Sequence, residues 1–330
     1  MKILVTRLRF LGDIILCTPL LQRLREAWPD ARIDFLGASP HVDVLFGHAA
    51  VDTIHVLGAK ASNAEMFAMA RQLRTVGYDV AIDLFGNPRS ALLTFATGAS
   101  MRIGGDRGAR ARLFTHRRGR PSGDRSAVRH HLDKLVPLLG EAPAPCPTRL
   151  SISEAEIAGL RRRLGLDASS RVQVVHPGST WPDKAWPEDR WPAVVGHLTT
   201  KGQVFVLEPP GQSGLAAQVT RGTRARALDV LGVREVMALL THADLYVGND
   251  GGILHAAVAL GVPTVGLLGP TEPDIWFPYE DLGPFRVLHR GGPEEFDAEG
   301  KAMSRLRGLS VDEVIMCIET VSTLPRTQTS

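Results

Sequence analysis

Short apolar runs alternate with stretches of helical spacing through the first half of the chain. The runs are rich in Val, Ile and Leu, which is typical of strands, whereas Ile14, Leu20 and Leu24 recur on one face of a helix. This alternation favours a parallel sheet with right-handed crossovers. The predicted strands cover residues 2–6, 32–36, 51–57 and 80–84, and the predicted helices cover residues 13–28 and 64–75.

The same alternation resumes after a proline-rich segment at residues 141–150, which is the best candidate for a linker. Ser153 and Glu156 then form the capping-box pattern that opens a helix. The predicted strands of the second half are 172–176, 203–207, 245–247 and 264–268, and the predicted helices are 153–164, 189–200, 233–241, 253–260 and 311–324.

The pattern therefore predicts an α/β chain of two Rossmann-like, doubly wound domains. A length of 330 residues agrees, because it exceeds what one ordinary core holds. We expect residues 1–150 to form the first domain and residues 151–310 the second. Residues 311–330 are expected to be a helix and a tail that can pack back on the first domain.

Composition narrows the classes of protein only slightly. The chain is 44% hydrophobic and 22% charged with a net charge of +3, which is ordinary for a soluble protein. Three scattered Cys residues without metal-ligand spacing fit a reducing cytoplasm. No apolar run reaches the roughly 18 residues that a spanning helix needs, and no signal pattern opens the chain. We therefore expect a cytoplasmic protein, or one held peripherally on a membrane.

The distribution of charge is more informative than its sum. Residues 101–131 contain nine Arg against two Asp. Arg is suited to bidentate contacts with phosphate and carboxylate, so this segment is a candidate surface for an anionic ligand. A solvated, mobile basic loop is the alternative. The single aromatic residue here, Phe114, leaves few stacking partners for a nucleic acid.

Two segments of the second half each begin as an apolar run and break into small and polar residues. They are VVHPGSTWPDKAWP at 174–187 and ADLYVGNDGGILHAAVALGVPTVGLLGPT at 243–271. A buried parallel strand that ends in a ligand-binding loop has this pattern, because ligands of open α/β sheets lie beyond the carboxyl ends of the strands. Lys184, Asp250 and His255 lie in these segments, which indicates a site for a phosphate-containing molecule.

Three motifs in order resemble the lipopolysaccharide heptosyltransferases, glycosyltransferase family 9. The first is KILVTRLRFLGDIILCTPLLQRLREAWPDARIDFL at 2–36 with its LGD loop. The others are HPGS followed by Lys184 and Trp186-Pro187, and GNDGGILH followed by GPT. The resemblance implies the GT-B fold, in which two Rossmann-like domains face each other across a cleft. It also implies an inverting transfer of heptose from ADP-L-glycero-D-manno-heptose to the lipopolysaccharide inner core or a related glycolipid.

The resemblance implies roles for individual residues. Asp13 of the LGD loop is the candidate base for the acceptor hydroxyl, although a carboxylate at a helix start is also a common cap. Lys184 is the candidate for the donor diphosphate, and a surface lysine paired with Asp183 or Glu188 is the alternative. Asp250 is the candidate for the donor sugar. The other predicted diphosphate contacts are Ser179, Thr180, Gly251, Gly252 and His255, and the predicted acceptor contacts are Gly12, Arg110, Arg112, Arg117, Arg118 and Arg120.

Two positions depart from the family pattern. Gly251 stands where members usually carry Ser or Thr, and Ala185 stands where a basic or polar residue is usual. Weaker donor binding or a different donor therefore stays open.

The chain contains no D-x-D motif, P-loop or GxGxxG. A metal-bridged diphosphate would use paired carboxylates, so we expect a transferase without metal or other cofactor. The expected partners are the nucleotide-sugar donor and an anionic glycolipid at the cytoplasmic face of the inner membrane, without nucleic acid, and the expected state is a monomer. The alternatives are a transferase with another nucleotide-sugar donor, a sugar-nucleotide epimerase, and a non-catalytic binding protein of the same fold.

Overall fold

The computed structural model describes residues 1–119, 126–167, 169–292, 295–297, 300 and 303–324. The chain divides into two compact units, Met1–Ser151 and Ile152–Ser330. Each unit is built on one six-stranded parallel sheet, and helices connect the strands. The prediction of two doubly wound α/β domains is confirmed. Within the described residues, no helix has the length and apolar character needed to cross a membrane.

The first unit has the sheet order β3-β2-β1-β4-β5-β6, which reverses between β1 and β4. Its strands are β1 (Lys2–Thr6), β2 (Arg32–Ala38), β3 (Thr53–Leu57), β4 (Val80–Asp83), β5 (Met101–Gly104) and β6 (His116–Arg117). Its helices are α1 (Leu11–Ile15), α2 (Thr18–Ala27), α3 (Asn63–Val76), α4 (Pro88–Ala96), α5 (Ala127–Leu132) and α6 (Val136–Leu139).

The second unit has the same arrangement, in the order β12-β11-β10-β7-β8-β9, which reverses between β7 and β10. Its strands are β7 (Val172–His176), β8 (Gln203–Leu207), β9 (Arg226–Leu228), β10 (Leu245–Asn249), β11 (Thr264–Leu268) and β12 (Phe285–His289). Its helices are α7 (Glu154–Leu164), α8 (Trp191–Leu198), α9 (Leu215–Thr220), α10 (Val233–His242), α11 (Gly252–Ala259), α12 (Pro273–Trp276) and α13 (Val311–Ser322).

Burial explains why the central strands form. Every residue of β10 and β11 is buried, and such strands read as continuous apolar runs because helices cover both faces of a parallel sheet. The helix α13 belongs to the same core. Its residues Val314, Ile318 and Val321 are fully buried with the strands of the second unit. The segment 311–322, which the sequence analysis set apart with the tail, is therefore part of the second unit's core.

One predicted helix differs from the structure. The expected helix at 13–28 is two helices, α1 and α2, which are broken around Leu16 and Cys17. Pro19 lies in the first turn of α2, where its missing N–H costs nothing, whereas a continuous helix would need that hydrogen bond. The Thr18 hydroxyl also donates to the Ile15 carbonyl at 2.8 Å and closes the break.

Candidate functional site

The predicted site residues follow the strands at which each sheet order reverses. Asp13 follows β1 in the first unit, and in the second unit Lys184 follows β7 and Asp250 follows β10. Doubly wound sheets bind ligands at this reversal, beyond the carboxyl ends of the strands. The fold therefore places each predicted charged group at the ligand-binding edge of its own sheet.

In the first unit, contacts on both oxygens hold the Asp13 carboxylate. Its Oδ2 accepts a hydrogen bond from the Phe10 N–H at 3.1 Å, and its Oδ1 lies 2.6 Å from Nη2 of Arg7. The Arg7 guanidinium is fixed in turn, since it donates to the Leu84 carbonyl at 2.7 Å and lies 4.7 Å from the centre of the Phe85 ring. Only 12% of the Arg7 side chain and 14% of the Asp13 side chain are exposed. This geometry fixes the direction in which the carboxylate points.

A cavity of about 550 Å³ lies at the same edge of the first sheet, lined by residues that end or follow β1, β2, β3 and β4. Arg9, Arg89 and the half-exposed Phe10 are among its lining residues. Burial, and then the charge of Arg9, lower the pKa of His41 in its wall, so that imidazole is neutral at pH 7. An aromatic surface beside two positive charges suits a sugar with an anionic substituent.

A second cavity of about 180 Å³ brings together two predicted acceptor contacts, Arg110 and Arg118. Arg107 and Lys134 also line it. The Lys134 ammonium is buried and donates to the carbonyls of Gly104, at 3.2 Å, and of Arg118. Burial lowers the pKa of Lys134 to about 8 against the opposing pull of nearby carboxylates, so it remains mostly protonated at pH 7. Asp83 and Asp106 also line this cavity, so its four cationic side chains outnumber two carboxyl groups.

The other predicted acceptor contacts are dispersed. Arg112 and Arg117 are exposed and do not line this cavity, and Gly12 is buried within α1. Arg120 lies outside the described residues. The acceptor role of all six residues stays a prediction.

In the second unit, the two predicted loops meet in an ion pair. Nζ of Lys184 lies 2.6 Å from Oδ2 of Asp250, which also accepts from the Thr271 hydroxyl at 2.6 Å. The side chain of Asp250 is 8% exposed and that of Lys184 is 27% exposed. The partner of Lys184 is therefore Asp250 rather than the neighbouring Asp183 or Glu188. These contacts tie together the loops that follow β7, β10 and β11.

The buried side-chain amide of Asn249 also connects β10 to the loop after β7. Asn249, at the end of β10, is fully buried; its Nδ2 donates to the Pro177 carbonyl at 2.6 Å, and its Oδ1 accepts from the Trp186 N–H at 3.1 Å. The sequence analysis assigned no role to Asn249, Thr271 or Arg7. The available signal was a polar residue at, or just after, the last position of an apolar strand.

The helix α11 carries three of the predicted diphosphate contacts at its start. Gly251 precedes its first turn and Gly252 begins it, so their N–H groups are at a helix terminus that attracts anions. His255 lies one turn further and is only 5% exposed, with Nδ1 at 3.0 Å from the Tyr279 hydroxyl. The imidazole is thus enclosed against Tyr279, and its contact with a diphosphate stays a prediction.

The remaining two predicted diphosphate contacts, Ser179 and Thr180, lie in the loop after β7. The Ser179 N–H donates to Oε1 of Gln212 at 3.1 Å, and Thr180 is exposed. The loop is packed closely at Gly178, where a Cβ would come within 2.2 Å of the Pro209 ring. A glycine is therefore required for the loop to take this path.

Comparison with known proteins identifies the family. The sequence model of glycosyltransferase family 9 (heptosyltransferase) matches residues 66–301, which is more than half of the chain. The chain is 27% identical over 292 residues to lipopolysaccharide heptosyltransferase 3 of Escherichia coli, covering 83% of this chain and 85% of that protein.

Solved structures show the same fold. The structure of E. coli ADP-heptose lipopolysaccharide heptosyltransferase II aligns with a TM-score of 0.83 at 22% identity, covering 98% of this chain and 99% of that one. E. coli heptosyltransferase WaaC with ADP-2-deoxy-2-fluoro heptose aligns with a TM-score of 0.74 at 21% identity, covering 97% and 99%. With two doubly wound units and the match over residues 66–301, the chain belongs to glycosyltransferase family 9, the heptosyltransferase family, and is a glycosyltransferase.

Proposed function

We propose that this protein transfers heptose from ADP-L-glycero-D-manno-heptose to the inner core of lipopolysaccharide or a related glycolipid, with inversion at the anomeric carbon. The relatives support this chemistry, because they are lipopolysaccharide heptosyltransferases and one was solved with an ADP-heptose analogue. The proposal rests on one arrangement. Arg7 holds the Asp13 carboxylate in the first unit, and Asp250 holds the Lys184 ammonium in the second unit. Each pair lies after a strand at which the order of its sheet reverses.

The first unit supplies the base. Asp13 takes the proton of the acceptor hydroxyl as that oxygen attacks the anomeric carbon, and the bond from this carbon to the diphosphate breaks. Each carboxylate oxygen accepts more than one hydrogen bond, so the contacts with Arg7 and Phe10 leave room for the hydroxyl. The orientation that Arg7 imposes prepares the base for this encounter.

The second unit supplies the positive charge for the leaving ADP. The Lys184 ammonium has three N–H bonds, and Asp250 takes one of them, so two remain for the diphosphate. Since the charge on the leaving group grows in the transition state, this contact strengthens as the reaction proceeds. The N–H groups of Gly251 and Gly252, with Ser179, Thr180 and His255, complete the proposed diphosphate contacts. The remaining oxygen of Asp250 accepts from a donor sugar hydroxyl.

The acceptor is proposed to be an anionic glycolipid at the cytoplasmic face of the inner membrane. The two cavities of the first unit contain Arg9, Arg89, Arg110, Arg118 and Lys134, which together suit phosphate or carboxylate substituents. Transfer is proposed to need no metal, since Lys184 provides the cation at the diphosphate.

The test is transfer by Asp13→Asn with ADP-heptose and a heptose-accepting core glycolipid. We expect the rate to fall about 10²–10⁴-fold, as for loss of a general base. The product of the wild-type enzyme should have the opposite anomeric configuration to the donor, read by NMR. Equal activity with UDP- or GDP-sugars instead would replace the proposed donor.

The matched control is Glu65→Gln. Glu65 occupies the same third helical position in α3, where it completes a capping box with Ser62, but it lies outside both cavities. Its replacement should leave transfer unchanged. If Asp13→Asn and Glu65→Gln retained the same activity, Asp13 would be only a helix cap.

A further inference from the structure

The outward face of α4 is apolar, although surface helices ordinarily turn polar residues to water. Leu92 is 55% exposed and Phe95 is 49% exposed, and they lie three residues apart on one side of the helix. The remaining exposed positions of α4 are Pro88 and Arg89. Scattered exposed apolar residues need no explanation, but a helix face made of them marks an interaction surface.

The neighbouring helix α3 extends this face. Phe67 is 66% exposed, and Arg71 and Arg74 follow it on the same helical stripe, four and seven residues later. This stripe borders α4, because α3 packs against α4 and the Arg74 guanidinium lies beside Gly98, just past the end of α4. The three exposed apolar residues thus lie on two helices that pack against each other.

Arginines surround the apolar residues without acidic neighbours on these helices. Arg102 lies 5.4 Å from the centre of the Phe95 ring, and the segment Ala109–Leu113, which carries exposed Arg112, packs against α4. Neither α4 nor α3 beyond Glu65 contains an Asp or Glu. We define the α3–α4 face by Phe67, Leu92 and Phe95 with Arg71, Arg74, Arg89, Arg102 and Arg112.

No ion pair within the described residues neutralises Arg71, Arg74, Arg89 or Arg112. Their charges are therefore available to an external anionic surface. Arg side chains can place the guanidinium in a polar layer while their aliphatic stems lie along an apolar one.

We propose that the α3–α4 face docks on an anionic lipid membrane. The three apolar side chains enter the boundary between headgroups and acyl chains, and the surrounding arginines bind lipid phosphates. A fluid layer of phosphates can reach every arginine of the ring, whereas three apolar side chains are few for a stable protein interface, which buries more than about 1,000 Å². Charge complementarity thus favours a lipid surface over a protein partner.

The face is continuous with the larger cavity of the first unit. Pro88 and Arg89 begin α4 and also line that cavity. A docked α4 therefore brings the cavity to the level where the sugar of a glycolipid leaves the membrane. This last step rests on the proposed glycolipid acceptor, whereas membrane binding itself does not.

Membrane binding is tested first, with the full chain and no substrate. The triple variant Phe67→Gln, Leu92→Gln, Phe95→Gln replaces exposed side chains only, so it should fold as wild type. In sedimentation with vesicles of phosphatidylcholine and phosphatidylglycerol, wild type should bind, and the variant should bind about tenfold or more weakly. Wild-type binding should fall with added salt and on vesicles of phosphatidylcholine alone. Wild-type binding by the variant would overturn the proposal.

The control is a second triple variant, Val230→Gln, Phe296→Gln, Met316→Gln. It removes three apolar side chains of comparable exposure, 54%, 56% and 70%, from the second unit. It should bind vesicles as wild type does. Equal loss in both triple variants would overturn the proposal, because the effect would then be nonspecific hydrophobicity. Self-association of wild type that the first variant abolishes, without vesicle binding, would also overturn it and make the face a protein interface.

Activity then separates this inference from the proposed function. The first triple variant should raise the KM for a vesicle-embedded acceptor about tenfold and leave transfer to a lipid-free core oligosaccharide unchanged. Vesicle binding by a protein that transfers heptose to neither acceptor would contradict the proposed function but leave the docking face intact. An equal loss on both acceptors would overturn the docking role.

Discussion

The two units share one strand order but differ in what they hold at its reversal. In the second unit, Lys184 and Thr271 both contact Asp250, and a fully buried Asn249 braces their loops. In the first unit, Asp13 is held by Arg7, and the neighbouring loops open into two cavities lined by several arginines. The ligand-binding edge of the second sheet is thus closed by contacts among its own side chains. That of the first sheet opens into cavities rich in cationic residues.

The difference follows from what each unit is proposed to bind. A nucleotide sugar presents the same diphosphate each time, and a braced ammonium with little freedom suits it because no reorganisation is needed as charge develops. A glycolipid acceptor is larger and arrives from a surface, so open cavities lined by arginines suit it better. The same backbone thus carries two kinds of site, decided by the residues after each strand.

The largest effect expected in the second unit comes from removing the charge of Lys184. Lys184→Met keeps the side chain length but removes the charge at the diphosphate, so kcat should fall about 10²–10³-fold, as for loss of one transition-state donor. Steady-state release of ADP measures it. Lys201→Met is the matched control, since Lys201 pairs with Glu319 in the same unit, away from the loops after β7 and β10. Equal losses in both variants would remove Lys184 from the reaction.

A smaller effect probes the held acid of the first unit. Arg7→Met frees the Asp13 carboxylate to rotate, and we expect kcat to fall about tenfold while the donor KM stays constant. Arg7→Lys restores the charge and should recover part of the loss, whereas a purely structural role would change thermal stability in step with kcat. Arg23→Met, which removes a surface pair with Glu26, is the control and should have no effect. An unchanged kcat in Arg7→Met would show that Asp13 needs no such support.

Loss of the Asn249 hydrogen bonds should lower the stability of the second unit. Asn249→Ala leaves the Pro177 carbonyl and the Trp186 N–H without their partner, which lowers the free energy of unfolding by about 1–3 kcal/mol for each buried group. Tryptophan fluorescence during urea unfolding measures it, because Trp186 is buried in the second unit. Asn63→Ala, at an exposed position of α3, should leave the transition in place. A shift of equal size in both variants would mean that Asn249 is not a brace.

Removal of divalent metal ions is expected to have no effect on transfer. Since Lys184 is proposed to serve the diphosphate without a metal, transfer should continue at the same rate in EDTA. Loss of activity that Mg²⁺ or Mn²⁺ restores would contradict that proposal.

The apolar pattern was sufficient to predict the most buried parts of the fold. The strands predicted at 172–176, 203–207 and 264–268 coincide with β7, β8 and β11, because both faces of these strands are covered and most of their residues are apolar. The strands β5, β6, β9 and β12 were missed. The first three have only four, two and three residues, and most of β12 is only partly buried, so none gives a clear apolar run.

The site was predictable only in part. The ordered motifs predicted which loops carry charge, and the structure places them at the two reversals. The contact between Lys184 and Asp250, which are 66 residues apart, depends on β7 and β10 being neighbours in the sheet. Likewise Arg7 and Asn249 act through contacts with backbone groups that follow other strands. Such contacts follow from strand order, which periodicity along the chain does not encode.

Titration of ADP-heptose into Asp13→Asn and Lys184→Met, side by side in a calorimeter, tests the division of work between the two units most directly. The account predicts that Asp13→Asn binds the donor with the wild-type dissociation constant, because the base is not part of the donor site. Lys184→Met should bind it about tenfold or more weakly, a loss of about 1.4 kcal/mol or more. If Asp13→Asn lost donor affinity while Lys184→Met retained it, the assignment of donor and base to the two units would be contradicted.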